Sequence, residues 1–365
     1  MNNCSKKLTF NIQHYNENII GGTYQIPLMR SLKTIRKNNW INCCKDNLQN
    51  NDKIYDYSSN CKNSRINNTI DEIFFLDNKY DMAEFFNSTN YKYSPKTYLL
   101  PDKNSVSLIP KINNFLFLKT GDFSVYGNTE PMHKIEGHSG KGVHVINGSK
   151  HNLIKNKMKD TKKYIIQEGV TNLLLNKKRK FDIRTHILFV KTSNSFQMFM
   201  WNKSYMRICA DQYNPKLSNE SNHLTNVHRQ HFKKGYDFIK NQMFLSDIPE
   251  GNKINENIRK ACKELYIIIL KNVVFNDDTK PSFWVVGFDF IIDNNLKPWL
   301  LEINHNPGFM GEQNIRKYNE INLNSMRDFS RYILEKILKG KNINTNDVGG
   351  WIHIFSTIFP KNIQK

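Results

Sequence analysis

The sequence predicts a mixed α/β (α+β) fold built from antiparallel strands and amphipathic helices. Two runs rich in β-forming residues cover 285–292 and 297–303, and the turn-forming Asp293-Asn294-Asn295 lies between them, which predicts a β-hairpin. Apolar residues recur at helical spacing over 256–270 and over 322–338, which predicts two helices that each bury one face. A chain of 365 residues, 39% of them hydrophobic, is long enough to bury a core in two or three subdomains.

The remaining elements follow from local composition. Apolar, β-rich runs predict further strands at 115–119, 143–146, 164–167 and 180–190. The prolines that bound 95–101 favour an extended segment there. A helix is predicted over 80–86, and the apolar stretch 351–359 is expected to pack back onto the body of the protein.

The net charge of +20 predicts a polyanionic partner: a nucleic acid, an anionic surface or an acidic polypeptide. Charge alone does not choose among these partners, although the sequence has no recognised nucleic-acid-binding motif. Coding bias toward Asn, Lys and Ile also explains part of the charge. No stretch approaches 18 apolar residues, and no secretory signal or zinc-binding cysteine spacing is present. We therefore expect a cytoplasmic protein with reduced thiols and no membrane span.

The predicted hairpin carries two carboxylates and an amide. If two residues form its loop, Asp289 lies opposite Leu300, and Glu302 and Asn304 share its face because side chains alternate along a strand. Two carboxylates and an amide oxygen, with no His or Cys nearby, suit a hard cation such as Mg²⁺. The alternative is a hairpin whose polar face is simply solvated. Lone carboxylates in such apolar runs would be costly to bury unpaired, which favours the metal site.

Two further patterns suit phosphate binding. Gly137-His-Ser-Gly-Lys-Gly142 is a glycine-rich loop in which the backbone can approach phosphates, although a plain hairpin turn explains it equally well. On a strand, Lys180, Asp182 and Arg184 face one way, toward a phosphate and a metal or toward solvent in a cross-strand ion pair.

The order in which these patterns occur along the chain supports a common role in binding ATP. Lys119 ends a predicted strand, and Gln167-Glu168 follows another, where a hinge can present polar groups to a purine. An ATP site between two antiparallel sheets needs these parts: lysines for the phosphates, a hinge for adenine and carboxylates for Mg²⁺. The sequence contains all of them.

The chain resembles the tubulin–tyrosine ligase-like family, which has the ATP-grasp fold, over roughly 93–307. The resemblance rests on several motifs: Pro95-Lys-Thr-Tyr-Leu-Leu-Pro101, the strand ending at Lys119, Ser139-Gly-Lys-Gly142, the hinge from Gln167 to Val170, Lys180-Phe-Asp-Ile-Arg184, Tyr205-Met-Arg207, His223-Leu-Thr-Asn226, and the block from Gly287 to Pro307. It implies an ATP-grasp fold in which two antiparallel sheets hold the nucleotide.

The resemblance also implies subdomains and residue roles. The regions would be a divergent Asn/Lys-rich N-terminal region (1–70), an N-terminal subdomain (71–112), a central ATP-grasp subdomain (113–179), a C-terminal ATP-grasp subdomain with the metal site (180–340) and a C-terminal tail (341–365). ATP would contact Lys119, Ser139, Gly140, Lys141, Gly142, Gln167, Glu168, Val170, Lys180 and Asp182. Mg²⁺ would be held by Asp289, Glu302 and Asn304. The substrate side would be lined by Arg184, Arg207, Thr225 and Asn226, with Arg184 and Glu302 as catalytic residues.

The implied activity is an ATP- and Mg²⁺-dependent carboxylate–amine ligase that joins a free amino acid to an acidic protein, such as a tubulin tail, through an acyl-phosphate. Arg184, Arg207 and Lys203 favour glutamate as the added amino acid, because arginine pairs with carboxylates. Tyrosination, with an aromatic pocket built from Phe199, Trp201 and Tyr205, and glycylation are alternatives. So are a small-molecule ATP-grasp ligase and an inactive module that binds acidic partners.

Overall fold

The computed structural model describes residues 69–100, 115–121, 142–146, 163–216, 220–276, 280–305 and 319–359, with residues 154 and 307 and short strands at 8–10, 40–42, 54–55 and 66–67. Most of the predicted N-terminal region 1–70 lies outside the described residues, as do the loop residues Ser139, Gly140 and Lys141. The subdomain boundaries given above stay predictions.

Strands make up most of the described architecture. They are β1 (Leu8–Phe10), β2 (Trp40–Asn42), β3 (Ile54–Tyr55), β4 (Ile66–Asn67), β5 (Thr97–Leu100), β6 (Leu116–Thr120), β7 (Val143–Ile146), β8 (Tyr164–Glu168), β9 (Phe181–Lys191), β10 (Ser195–Trp201), β11 (Tyr205–Ile208), β12 (Gln242–Phe244), β13 (Ser282–Ile292), β14 (Pro298–His305) and β15 (Trp351–Ile358).

Among the described residues these strands form three sheets, of which one is the parallel pair β1–β2 and two are larger. In the small sheet, β5, β8, β6 and β7 lie in this order and all pair antiparallel. In the large sheet, β9 and β13 pair antiparallel at the centre; β10 and β11 flank β9, and β14 flanks β13. The strand β15 adds to β10, so the apolar C-terminal stretch packs onto the body as predicted. The predicted mixed α/β fold with two antiparallel sheets is confirmed.

Helices cover both faces of the large sheet. They are α1 (Lys79–Thr89), α2 (Glu220–His223), α3 (Val227–Gln230), α4 (Gly251–Asn272), α5 (Asn324–Asp328) and α6 (Glu335–Leu338), with 3₁₀ segments at Asp71–Asp77 and Leu245–Asp247 and π segments at Asn319–Leu323 and Phe329–Leu334. The predicted helices over 256–270 and 322–338 are present. They begin earlier than predicted, at Gly251 and at Asn319, because polar helical turns precede the apolar stripes. None of the described helices is long and apolar enough to cross a bilayer.

The alternation along β13 explains this three-layer arrangement. Trp284, Val286 and Phe288 face the layer that contains α4, whereas Phe283 and Val285 face the C-terminal helical stretch 319–338. All five side chains are fully buried. A strand that is apolar on both faces must be covered on both, and β13 is covered in this way.

We predict that Leu265→Ala lowers the free energy of unfolding by about 2–5 kcal/mol, because it leaves a cavity in the core between α4 and the large sheet. Leu265 is fully buried in that core. Lys260→Ala, at an exposed position of the same helix, is the control and should change stability by no more than about 0.5 kcal/mol. Denaturant unfolding measures both variants, and equal stabilities would contradict the packing of α4.

Candidate functional site

A cavity of about 520 Å³ opens between the small and large sheets. The small sheet and the residues just after it contribute Phe117, Lys119, Val143, Gln167, Glu168, Gly169 and Val170. Polar residues of the large sheet and nearby segments line the opposite side, namely Lys180, Asp182, Arg207, Thr225, Asn226, Asp289, Glu302 and Asn304. The structure therefore brings residues from six separate sequence motifs to one cavity.

The hairpin β13–β14 differs in register from the sequence prediction. Asp289 lies directly opposite Glu302, and the register shifts between Asp289 and Phe290, so that Phe290 pairs with Leu300. Leu301 is the extra residue of this β-bulge. As a result Leu300 is buried in the core and Leu301 lines the cavity, the reverse of the predicted orientation.

The hairpin turn explains part of this correction. The Asp293 carboxylate accepts hydrogen bonds from the backbone N–H groups of Asn295 (2.9 Å) and Lys297 (3.0 Å), and Leu296 adopts a φ of 60°. Asp293 therefore pairs with Lys297, its N–H donating to the Lys297 carbonyl, and the loop of the hairpin holds three residues (294–296) rather than the expected two. The longer turn and the bulge together return Asp289, Glu302 and Asn304 to the same side of the hairpin.

Two aspartates and two arginines form a buried ion network in the cavity wall. Arg184 donates to both carboxylate oxygens of Asp289, with 2.8 Å between Nη2 and Oδ2. Arg207 donates to both oxygens of Asp182, at 2.7 and 2.6 Å, and its Nη2 lies 2.8 Å from Oδ2 of Asp289. The Thr225 hydroxyl donates to Asp182 Oδ2 at 2.6 Å. Arg207 borders the cavity, whereas Arg184 lies behind Asp289 and is not among the lining residues.

Glu302 is the second carboxylate of the predicted metal set. Burial acts to raise its pKa, but Lys79 and Lys119 hold the pKa well below its ordinary value, so Glu302 is ionised. The ammonium group of Lys79 lies 3.2 Å from Glu302 Oε2. The amide nitrogen of Asn304 lies 3.2 Å from Glu302 Oε1 and 3.2 Å from Asp289 Oδ2, so the three predicted ligands are in mutual contact.

These three residues fit Mg²⁺ by donor chemistry. Burial raises the pKa of Asp289 against the opposing effect of Arg184 and Arg207, and the neighbouring Glu302 adds to the rise. A buried carboxylate this close to a largely buried one favours a shared cation or proton. The amide oxygen and nitrogen of Asn304 exchange places by a half-turn, which would supply a third oxygen. Within the described residues no group of three or more His, Cys, Asp or Glu is arranged to hold a metal, so water or substrate oxygens would complete the coordination.

Three lysines reach the cavity from different elements. Lys119 donates to Gln167 Oε1 at 2.7 Å. Burial lowers the pKa of Lys119 and of Lys180 to about 8 in each case. Lys79 begins α1, where the Asn78 side chain caps the helix by accepting from the N–H groups of Tyr80 and Asp81. Lys79 was missed by the sequence analysis because its sequence neighbours carry no recognised motif.

The predicted hinge lies where β8 ends. The carboxylate of Glu168 accepts a hydrogen bond from the Tyr98 hydroxyl at 2.6 Å, and the backbone N–H of Gly169 donates to Phe115 O at 2.8 Å. The side chain of Phe117 also lines the cavity, and Lys180 Nζ lies 5.4 Å from its ring centroid. The sequence analysis did not predict that the Phe117 ring lines the cavity.

His223 is a further cavity residue that the sequence analysis placed in a motif without giving it a role. Its ring centroid lies 4.2 Å from that of Phe115 and 5.6 Å from that of Tyr213. Of the predicted glycine-rich loop, only Gly142 is described; it has a φ of 71°, and its carbonyl accepts from the N–H of Thr120 at 3.2 Å. Ser139, Gly140 and Lys141 lie outside the described residues, so their contact with the cavity stays a prediction.

Comparison with known proteins places this geometry in context. The sequence profile of the tubulin-tyrosine ligase family matches residues 61–321, well over half of the chain. The chain belongs to the tubulin-tyrosine ligase family. The two antiparallel sheets are consistent with the ATP-grasp fold of this family.

The similar proteins include a protein named as a tubulin glycylase and others named as tubulin polyglutamylases. Tubulin glycylase 3D of Tetrahymena thermophila is 34% identical over 167 residues, which cover 42% of this chain and 16% of that protein. The probable alpha-tubulin polyglutamylase Ttll1 of the same organism is 29% identical over 157 residues, covering 40% and 37%. Human tubulin polyglutamylase TTLL7 is 28% identical over 228 residues, covering 53% and 24%. The matched region is thus well under half the length of each of these relatives.

We predict that Lys79→Met lowers the free energy of unfolding at pH 7 by about 3 kcal/mol, because the largely buried Glu302 loses a paired cation. The low folded-state pKa of Glu302 contributes stability above its ordinary value of 4.5 and loses that contribution as the pH falls through the folded-state pKa. The difference from the wild type should therefore shrink below pH 4.5.

The control is Lys92→Met, which breaks the exposed ion pair between Lys92 and Glu264. Exposed pairs contribute little, so this variant should remain within about 1 kcal/mol of the wild type. Urea titrations at pH 7 and at pH 4 measure the effect. A Lys79→Met variant as stable as Lys92→Met at pH 7 would contradict the pairing with Glu302.

Proposed function

We propose that this protein is an ATP- and Mg²⁺-dependent carboxylate–amine ligase of the cytoplasm that adds an amino acid to an acidic protein tail, with tubulin as the acceptor. One observation carries the proposal: a single cavity is lined by Lys79, Lys119 and Lys180 and by an Asp–Glu–Asn set on the β13–β14 hairpin. Membership in the tubulin-tyrosine ligase family and relatives named as tubulin glycylases and polyglutamylases support it.

The nucleotide would lie between the two sheets. Lys79, Lys119 and Lys180 would neutralise its phosphates, and the hinge from Gln167 to Val170 would contact its base. Phe117 offers an apolar face to that base. All three lysines are largely buried, so their attraction for phosphate is screened little by solvent.

The reaction we propose has two steps. The γ-phosphoryl group of ATP moves to the acceptor carboxylate and ADP leaves; the amino group of a free amino acid then attacks the acyl carbon, and phosphate leaves as the amide bond forms. Asp289, Glu302 and Asn304 would hold Mg²⁺, which when bound neutralises phosphate charge. Arg207 borders the cavity and would stabilise the oxyanion that develops on the acyl group. Arg184 would act by holding Asp289 in place.

Glutamate is the amino acid we propose, because Arg207 lines the cavity and arginine pairs with carboxylates, of which glutamate has two. Lys203, which the sequence suggested for this role, lies 3.9 Å from Glu320 and does not line the cavity. Phe199, Trp201 and Tyr205 belong to the core and do not line the cavity either, so they form no pocket for a tyrosine ring. Glycine is the second candidate, because a tubulin glycylase is among the similar proteins.

The amino acid is tested by incubating the protein with tubulin, ATP, Mg²⁺ and equal concentrations of glutamate, glycine and tyrosine. We expect tubulin tail peptides whose mass increases by glutamyl units, with ADP release that depends on tubulin. A glycyl increment would contradict the choice of amino acid and leave the ligase proposal intact. ATP turnover without any modified tubulin would contradict tubulin as the acceptor.

The metal set gives a second test. We predict that Glu302→Gln lowers turnover by about a thousandfold or more, since an anionic metal ligand is lost while the shape of the side chain is kept. Glu264→Gln removes a carboxylate of the exposed pair with Lys92 and should leave turnover unchanged. ADP release measures both variants, and their thermal unfolding shows whether each is folded. A folded Glu302→Gln variant with wild-type turnover would remove Glu302 from the metal site.

The low pKa of Lys180 predicts how ATP affinity depends on pH. Burial brings that pKa to about 8, so the ammonium group loses its proton and its attraction for phosphate as the pH rises above 8. Calorimetric titration with a non-hydrolysable ATP analogue should therefore give a dissociation constant that increases from pH 7 to pH 9. Lys180→Arg, which stays charged throughout, should reduce this increase. Lys177→Arg, at an exposed position, should keep the wild-type dependence. An identical dependence in the Lys180→Arg variant would exclude Lys180 as a phosphate contact.

A further inference from the structure

The segment 231–240 forms an exposed loop, the 231–240 loop, whose two ends are anchored at the same place. At its start, Gln230 is fully buried, and its side chain accepts from the N–H of Ala210 at 2.9 Å. At its end, the buried Asn241 side chain donates to the carbonyls of Ile208 (3.0 Å) and Cys209 (3.2 Å). Because both anchors bind 208–210, the chain leaves and returns at the end of β11, as in an Ω-loop.

Internal hydrogen bonds define the shape of the 231–240 loop. The Asp237 carboxylate accepts from the backbone N–H groups of Ile239 (2.8 Å) and Lys240 (3.1 Å). The backbone N–H of Asp237 donates to the Asn241 side chain at 3.0 Å, and that of Tyr236 donates to Lys233 O at 3.1 Å. The loop therefore presents its outer side chains on a backbone that is already ordered, which reduces the entropy lost on binding.

The 231–240 loop displays apolar side chains to solvent. Phe232 is 77% exposed, Ile239 is 57% exposed and Phe238 is 37% exposed. Within the part of the chain that the structure describes, the other exposed large apolar residues are Val274 and Ile358, which lie apart from this loop. Clustered exposed apolar groups mark interaction surfaces, and aromatic residues are enriched in them.

The charges of the loop favour an acidic partner. Its lysines are Lys233, Lys234 and Lys240, and its one carboxylate, Asp237, is used by the loop's own backbone. Lys233 lies 3.8 Å from Asp211, an exposed pair that contributes little and opens readily. A loop that carries exposed apolar side chains and lysines suits a protein surface that carries both apolar groups and carboxylates.

The 231–240 loop borders the candidate site. Gln230 ends α3, which directly follows the lining residues Thr225 and Asn226. The Tyr236 hydroxyl hydrogen-bonds to the Gln242 side chain, and Gln242 pairs with the cavity-lining Arg207 between β12 and β11. A protein bound to the loop would thus lie beside the cavity that its tail has to enter.

We propose that the 231–240 loop docks the folded body of the acceptor protein, with Phe232 and Ile239 in apolar contact and Lys233 and Lys234 facing carboxylates of the acceptor. This inference rests on the proposed ligase function, since it names the surface that brings the acceptor to the cavity. Recognition of the acceptor then has two parts, in which the cavity takes the tail and the loop takes the body.

The test compares two double variants on two substrates. One variant, Phe232→Ser with Ile239→Ser, removes two exposed apolar side chains of the loop; the matched control, Val274→Ser with Ile358→Ser, removes exposed apolar groups elsewhere. The substrates are folded tubulin and a synthetic peptide of its acidic tail. For the loop variant, we expect the KM for tubulin to rise about tenfold while the KM for the peptide, the KM for ATP and kcat stay unchanged. The control should match the wild type on both substrates.

Each other outcome decides the proposal. An unchanged KM for tubulin in the loop variant overturns it, and so does an equal rise for tubulin and the peptide, which would mean that the cavity itself is altered. Binding to phosphatidylserine vesicles that requires Phe232 and Ile239, with tubulin kinetics unchanged, would assign the loop to a membrane surface instead.

Failure of the ligase proposal is distinguishable from failure of the docking proposal. If the wild type modifies neither substrate, the proposed function fails, and direct binding to immobilised tubulin decides the role of the loop. Weaker tubulin binding by the loop variant alone would still support docking. Equal binding by both variants, or no binding by the wild type, would overturn it.

Discussion

The buried ion network of Asp182, Arg207, Asp289 and Arg184 is the interaction on which the candidate site depends. Its residues come from β9, β11 and β13, which are neighbours in the large sheet. Two positive and two negative groups balance each other, and removal of any one would leave an uncompensated charge away from water, at a cost of about 3–5 kcal/mol. The network therefore fixes where the carboxylates of Asp182 and Asp289 lie, and with them one wall of the cavity.

Gly287 makes this network possible. A Cβ atom at this position would lie 2.8 Å from Cδ of Arg184 and 2.7 Å from Cβ of Pro307. Contacts this short do not occur for real Cβ atoms, so any other residue would displace the arginine that crosses β13. Arg184 therefore needs a glycine at position 287 in order to reach Asp289. This explains why the glycine and the carboxylate occur two residues apart in the Gly287-Phe-Asp289 motif.

The sequence predicted the elements that depend on local patterns of residues. It did not predict features that depend on contacts between residues distant in the sequence. The strands β9 and β13 were predicted because their runs of β-forming residues are long, and the helix α4 because its apolar residues recur at regular helical spacing. The sequence did not predict that Leu300 faces the core and Leu301 faces the cavity, because this orientation follows from the direct pairing of Asp289 with Glu302 and the bulge at Leu301. Lys79 could not be found either, since it reaches Glu302 across more than two hundred residues of sequence and only the packing of α1 against the sheets brings it there.

The charges of the cavity bear on what the rest of the protein does. Among the described residues that line it, four are basic (Lys79, Lys119, Lys180 and Arg207) and four are acidic (Glu168, Asp182, Asp289 and Glu302). This balance accounts for none of the net charge of +20. A ligase for small molecules needs no such surplus outside its cavity, whereas a ligase for an acidic protein gains both encounter rate and affinity from it. The surplus charge therefore favours a macromolecular acceptor, and a surface such as the 231–240 loop is where that charge can act together with apolar contact.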